Sequence, residues 1–249
     1  MPDLPPIHLI NLDRSTERLH RFQERNFHLP KIVRVPAVDG SALDREELIR
    51  TGVINRDLPY AAGTLGCAMS HLSLWKMAAS QNQDITIFED DIVVAHQFEA
   101  RAQKILSLVP EDWDFILWGH SFNPLFVWFD QGISKACLQP YGTRRYQTAG
   151  EQQLFQTQES LSVPLKLLHS FGTLGYSISA KGARSALKYC LPLCDRFIDF
   201  PDADVTTPDE GIDVVLCGLY PTLNAFICIP PLLIHSDDEE SVRKDVNEN

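Results

Sequence analysis

Glu89, Asp90 and Asp91 stand directly after the run Ile85-Thr86-Ile87-Phe88 and directly before Ile92-Val93-Val94. Mostly apolar, β-favouring residues in such a run read as a strand buried in a sheet. A strand that delivers three carboxylates to its end brings like charges together, and these raise one another's pKa. A hard divalent cation, Mn²⁺ or Mg²⁺, keeps such a group ionised, because it takes carboxylate oxygens together with oxygens of a bound phosphate. Alternate side chains of an extended segment share a face, so Glu89 and Asp91 point together and Asp90 points away. Glu89 and Asp91 are therefore the expected metal pair, with Asp90 in second rank. The plainer alternative is an acidic turn after a core strand, its charges solvated.

Other residues could serve the same chemistry. Arg14, Arg18, Arg21 and Arg25 recur along one side of an expected first helix. Arg21 and Arg25 read as a solvated stripe with Glu17 and Glu24. Arg14 and Arg18 lie in the first turns, where a guanidinium and the positive helix terminus can both meet a diphosphate. Gly172-Thr173-Leu174-Gly175 allows a backbone to approach a ligand closely, or is simply a turn into a strand. The segment from Gly63 to His71 is a glycine loop leading into a helix. It lacks the Lys-Ser/Thr of a P-loop, and Ser70 and His71 read there as satisfied core polar groups. Asp209, Glu210 and Asp213 open a late helix, an ordinary place for acids. Asp213, set among Gly211, Ile212, Val214, Val215 and Leu216, is the candidate general base, since apolar surroundings raise a carboxyl's pKa. His235, after the apolar run from Pro230 to Ile234, is a candidate third metal ligand.

The elements that carry these residues alternate. Strands are expected over residues 7–11 and 31–38, helices from Asp13 or Ser15 to Asn26 and over 44–50, and an apolar helix after Gly66. The acid-tipped strand, a helix over 97–108 and a strand over 114–118 follow. Alternation of this kind implies a mixed, mostly parallel sheet with helices on both faces. Such α/β sheets bind ligands beyond the carboxyl ends of their strands, which is where Asn11, Asp39 and the three acids lie. Residues 126–129 and 133–138 read as strands, residues 141–159 as a loop that could act as a lid. A strand at 173–179, helices at 181–189 and 211–219 and a strand at 225–229 complete the core. Residues 1–235 are expected to form one domain, and residues 236–249 a frayed charged tail.

A chain of 249 residues with 44% hydrophobic and 22% charged residues has the composition of a globular protein. Its net charge of −11 argues against a nucleic-acid binder and against broad adhesion to an anionic membrane. The start carries Asp3 and three prolines rather than a signal-peptide pattern. Residues 214–234 have no charge, but Gly218, Pro221, Asn224, Pro230 and Pro231 break them into buried core and turns. The six scattered cysteines fit reduced thiols. A cytoplasmic location is the expectation, at most with peripheral contact at the cytoplasmic face of an inner membrane.

The segments taken together resemble glycosyltransferase family 25, which includes lipooligosaccharide and collagen galactosyltransferases. The matching pieces are Ile10-Asn11-Leu12-Asp13-Arg14 with Arg18, Ala37-Val38-Asp39-Gly40, Gly66-Cys67 with Ser70-His71, and Phe88-Glu89-Asp90-Asp91. Trp113-Asp114-Phe115 and Gly172 to Ser179 with Gly182-Ala183 continue in family order. The resemblance implies a GT-A-like fold whose acidic motif holds Mn²⁺ or Mg²⁺ and a UDP-sugar; Glu89 takes the place of that motif's first Asp. It implies an inverting enzyme that moves a hexose, galactose by analogy, to a hydroxyl of a glycan or protein acceptor. In that scheme Asn11, Arg14, Arg18, Asp39, Gly172 and Thr173 bind the donor, and Asp213 is the base. Two other classes compete. One is a catalytically silent homologue that serves as a binding or adhesion module. The other is a nucleotidyltransferase or metal-dependent phosphatase, against which stands the lack of an early Asp-x-Asp pair or a Gly-rich pyrophosphorylase loop.

Overall fold

A computed structural model describes residues 2–29, 31–120, 127–130, 132–138, 148–200 and 204–236. The first half alternates as expected: β1 (Ile7–Asn11), α1 (Thr16–Arg25), β2 (Ile32–Pro36), α2 (Arg45–Arg50), α3 (Ala62–Gln81), β3 (Ile85–Glu89), β4 (Ile92–Val94), α4 (Phe98–Leu106) and β5 (Phe115–Leu117). The second half holds β6 (Val127–Asp130), β7 (Lys135–Leu138), α5 (Ala149–Thr157), β8 (Val163–Ser170), β9 (Gly175–Ile178) and α6 (Ala180–Cys190). It closes with β10 (Phe197–Phe200), β11 (Val205–Pro208), α7 (Ile212–Leu219), β12 (Ala225–Ile229) and β13 (Leu233–His235).

The main sheet runs β2-β1-β3-β9-β5-β12-β8-β6-β7. Period-2 alternation sends side chains to two cores. Ile10, Ile85, Ile87, Phe115 and Leu117 pack with Leu72 and Trp75 of α3, Ala183 of α6 and Val215 of α7. On the other face Ile7, Leu9, Phe88 and Ile116 meet Phe22 of α1 and Phe98 and Ala102 of α4. This is the α/β architecture that the resemblance implies, a large mixed sheet with helices on both faces, and it is consistent with a GT-A-like fold.

The balance within the sheet differs from a mostly parallel one. The pairs β1–β2, β1–β3 and β5–β12 are parallel, whereas β9 is antiparallel to both β3 and β5, and β8 is antiparallel to β12 and β6. Strand–helix alternation, which carries parallel crossovers, holds only as far as β5. Within residues 141–159, residues 148–159 are not a bare loop: Thr148 and Glu151 form a capping box that starts α5, and residues 141–147 lie outside the described part. So do residues 237–249, nearly all of the expected tail. No described helix is long and apolar enough to cross a membrane; the uncharged stretch at 214–234 is divided among α7, β12 and β13. All six cysteines are free thiols.

Two features set the site's frame. The loop after β2 lies against the start of α3 so closely that a Cβ at Gly40 would overlap the Ala62 carbonyl oxygen, and one at Gly66 would meet the Val38 carbonyl. Ser70 locks this contact, accepting from the Val38 N–H at 2.8 Å and donating to the Gly66 carbonyl at 2.8 Å. The second feature is the short ladder β4–β13, in which His235 pairs with Ile92. That ladder carries the end of the described chain to the acids.

Candidate active site

β3 ends at Glu89, and Asp90 and Asp91 form the turn into β4. The three side chains part company there. Asp90 turns inward: its Oδ2 accepts from Asn11 Nδ2 at 2.6 Å and its Oδ1 from Arg18 Nη2. Burial raises the pKa of Asp90, against the opposing pull of Arg18 and Asn11. Asp91 Oδ2 lies 3.3 Å from Arg18 Nη2 and 3.4 Å from His235 Nε2. Its Oδ1 is buried without a hydrogen-bond partner. Glu89 is a quarter exposed; its Oε1 accepts from Thr173 Oγ1 at 2.7 Å and lies 3.5 Å from His71 Nε2. Arg18 sits among all three. Burial pulls its pKa down, but Asp91, Asp90 and Glu89 outweigh that and raise it, so its charge is secure.

Asp90 is therefore anchored to α1 and β1, with a protein donor on each of its oxygens. Asn11 and Arg18 supply those donors. Asn11 is 2% exposed, gives its amide to Asp90, and accepts from Arg34 Nε at 3.0 Å through its own oxygen. Arg18 neutralises acids of the turn, which puts it beneath the site. Arg14 is the more exposed guanidinium and pairs with Asp39, whose carboxylate also accepts from the Ser41 hydroxyl at 2.7 Å and the Ser41 N–H at 3.0 Å. These Ser41 bonds, with Arg14 adding to them, hold the Asp39 pKa below its ordinary value.

Gly172 and Thr173 join the acid turn to the candidate base. Gly172 has φ +86°, the left-handed region that favours glycine. Its N–H donates to Asp213 Oδ2 at 3.1 Å, while the next residue donates to Glu89. Asp213 lies in the first turn of α7 and is 9% exposed. Asp209, just before α7, accepts from the Gly211 N–H at 3.2 Å, from the Tyr60 hydroxyl and from Arg196 Nε at 3.4 Å inside the fold.

Sequence reasoning overlooked two contributors. Arg34 on β2 holds Asn11 and donates to Asp13 Oδ1 at 2.6 Å. His71, read as a core polar group, is 1% exposed yet faces Glu89, with Nδ1 2.8 Å from the Tyr176 hydroxyl. Burial pushes its pKa down, but Tyr176, Cys67 and Glu89 more than offset this and raise it well above the usual range. The Ser70-His71 pair behind a glycine loop was the only sequence signal for His71; nothing local marks Arg34.

Can these residues hold a divalent cation? Among the described residues no group of three or more His, Cys, Asp or Glu is placed to hold a metal ion by itself. A substrate-assisted site needs less, since Mg²⁺-type cations keep waters and take phosphate oxygens beside one or two carboxylates. Arg18 lies against Asp90 and Asp91, and His71 beside Glu89. The buried, unbonded Asp91 Oδ1, with His235 beside the same carboxylate, offers the donor atoms. The residues fit a cation of that kind only with Asp91 and Glu89 as its carboxylates and phosphate oxygens completing its set.

Comparison with known proteins gives the class. The sequence profile described as "Glycosyltransferase family 25 (LPS biosynthesis protein)" matches residues 4–200. The chain belongs to glycosyltransferase family 25. A glycosyltransferase 25 family member of Anopheles gambiae is 28% identical over 200 residues, 74% of this chain and 29% of the relative. Procollagen galactosyltransferase 2 of Homo sapiens is 27% identical over 192 residues, 72% of this chain and 26% of that protein. A protein of Bos taurus called probable inactive glycosyltransferase 25 family member 3 is 29% identical over 135 residues, covering 47% and 22% of the two chains. The chain spans less than a third of the length of the curated relatives it matches.

Proposed function

We propose that this chain is a metal-dependent inverting glycosyltransferase that moves a hexose, galactose first among the candidates, from a UDP-sugar to a hydroxyl of a glycan such as lipooligosaccharide. One observation carries the reading. The Gly172-Thr173 turn ties a quarter-exposed carboxylate, Glu89, to a second acid, Asp213, while Asp91 and His235 converge from β4 and β13.

A divalent cation held by Glu89 and Asp91 would supply positive charge to the diphosphate as it leaves. Arg14, exposed beside Asp39, would add a guanidinium to the same phosphates. Asp213 accepts the proton of the acceptor hydroxyl. The oxygen bonds to the anomeric carbon from the side opposite the diphosphate, the bond from that carbon to the phosphate oxygen breaks, and UDP departs with the electron pair. Gly172 fixes the Asp213 carboxylate through its N–H, and Thr173 fixes Glu89, so one turn sets the separation of base and leaving-group side.

The name of the bovine relative supports a second reading, a catalytically silent binding module. Against it stand Glu89, Asp91 and Asp213, all present and assembled here. A panel of UDP-hexoses with Mn²⁺ or Mg²⁺, read as UDP release and then screened against glycan and protein acceptors, separates the two. Turnover of one donor with an inverted anomeric product supports the transferase. Binding without turnover of any donor supports the silent module.

A further inference from the structure

We propose that His71 is a positioning residue for Glu89, holding that carboxylate through an Nε2–H fixed by a buried relay from Trp75 and Tyr176. The inference rests on the reading of Glu89 as a cation-holding acid.

The relay is ordered by donor chemistry. The indole N–H of Trp75 can only donate, and it lies 2.8 Å from the Tyr176 hydroxyl oxygen, which is also 2.8 Å from His71 Nδ1. Trp75, Tyr176 and His71 are all 1% exposed or less, so water does not compete for these contacts. With Trp75 donating to it, the Tyr176 oxygen has its own O–H to place, and Nδ1 is the acceptor at hand. Nε2 then carries the ring proton, 3.5 Å from Glu89 Oε1. An ionised Glu89 accepts only, so the other neutral tautomer would set a lone pair against an anion. In the charged imidazolium Nε2 carries a hydrogen as well, so the donor toward Glu89 is present in both protonation states. Cys67, one helical turn earlier, is the imidazole's remaining polar neighbour.

Nothing else in α3 requires a polar group at this position. Leu72, Leu74, Trp75 and Ala78 around it are buried core, and a buried imidazole among them costs desolvation unless each nitrogen has a partner. Thr173 approaches the same Oε1 from the β8–β9 turn. Thr173 bonds Oε1 and His71 Nε2, buried with no hydrogen-bond partner, lies 3.5 Å from the same oxygen, so both bear on how the carboxylate is turned. Outer partners of this kind typically tune metal affinity by about 10–100-fold.

The test uses the full chain and three variants. In wild-type protein labelled with ¹⁵N-histidine, the His71 signal, assigned by its loss in His71→Gln, should show a protonated Nε2; an unprotonated Nε2 overturns the proposal. Mn²⁺ binding in the presence of UDP, read by electron paramagnetic resonance, should weaken about 10–100-fold in His71→Phe. His71→Gln, whose amide can still donate toward Glu89, should recover most of that loss. Turnover should follow the same order through kcat, with the acceptor KM unchanged. Equal losses in both variants, or wild-type Mn²⁺ affinity in His71→Phe, overturn the positioning role. Should His71→Phe fail to fold, the wild-type nitrogen signal and the Mn²⁺ affinity of His71→Gln still decide it. Glu89→Gln is the control: if it binds Mn²⁺ and UDP as wild type does, the cation reading fails, and the role of His71 falls with it.

Discussion

Three adjacent acids have three different fates because the turn that carries them points each side chain at a different element. Asp90 goes to α1 and β1, Asp91 to β13, Glu89 to the turn before β9. Their mutants should differ accordingly. Glu89→Gln and Asp91→Asn should each lower transfer by roughly 100-fold or more, since loss of cation stabilisation is worth several kcal/mol. Their melting temperatures should stay close to wild type. Asp90→Asn should instead be read in stability: it leaves Arg18 facing one less carboxylate and its effect on donor affinity should be the smaller one. Asp213→Asn should abolish most turnover while leaving UDP affinity intact, measured by titration and steady-state kinetics side by side. Unchanged activity and pH dependence in Asp213→Asn would remove it as the base.

At the scale of elements, the close contact between the post-β2 loop and α3 is what brings His71 and the acid turn together. Gly40→Ala should cost about 1–3 kcal/mol through overpacking against the Ala62 carbonyl, lowering the melting temperature by roughly 2–4 °C per kcal/mol. Gly150→Ala on α5, where a Cβ meets nothing within 4 Å, should leave stability equal or slightly raised by helix propensity. A Gly40→Ala protein as stable as wild type would mean that this contact is looser than its backbone geometry requires.

Much of this frame was legible in the sequence. The strand ends that carry Asn11, Asp39 and Glu89 follow from apolar runs and breakers, and α3 from its apolar pattern. β8 was not, because Pro164 and Lys166 interrupt its apolar pattern and its burial shifts along its length from surface to core. Residues 148–157 read as loop through their Gly and Gln content, although the Thr148–Glu151 capping box was there to be seen. The contacts of Arg34 and His71 could not be read because each joins residues remote in sequence; His235, singled out beside the acids, reaches Asp91 through the β4–β13 ladder.

The molecule as a whole answers pH through groups that its packing has shifted in opposite directions. Burial, reinforced by His96, lowers the pKa of His28, and burial lowers that of His8. As pH falls through the unfolded value of about 6.5, the unfolded chain takes up these protons first, and stability is lost on the way down to the folded values. His71, shifted upward, has the opposite sign: its contribution is present at low pH and fades as pH rises through its folded value. His28→Gln should therefore narrow the drop in melting temperature between about pH 7.5 and about pH 5.5 relative to wild type. An unchanged drop would show that His28 titrates alike in both states.

The charge balance of the same assembly leads to the decisive test. Under the proposed function, Glu89 and Asp91 are the carboxylates a divalent partner would share with a diphosphate. Calorimetric titration with UDP, with and without Mn²⁺, in wild-type protein and in Asp91→Asn, addresses this directly. Mn²⁺ should tighten UDP binding by about tenfold or more, roughly 1.4 kcal/mol, and Asp91→Asn should remove this gain. UDP affinity indifferent to Mn²⁺, or no UDP binding in either condition, would contradict it.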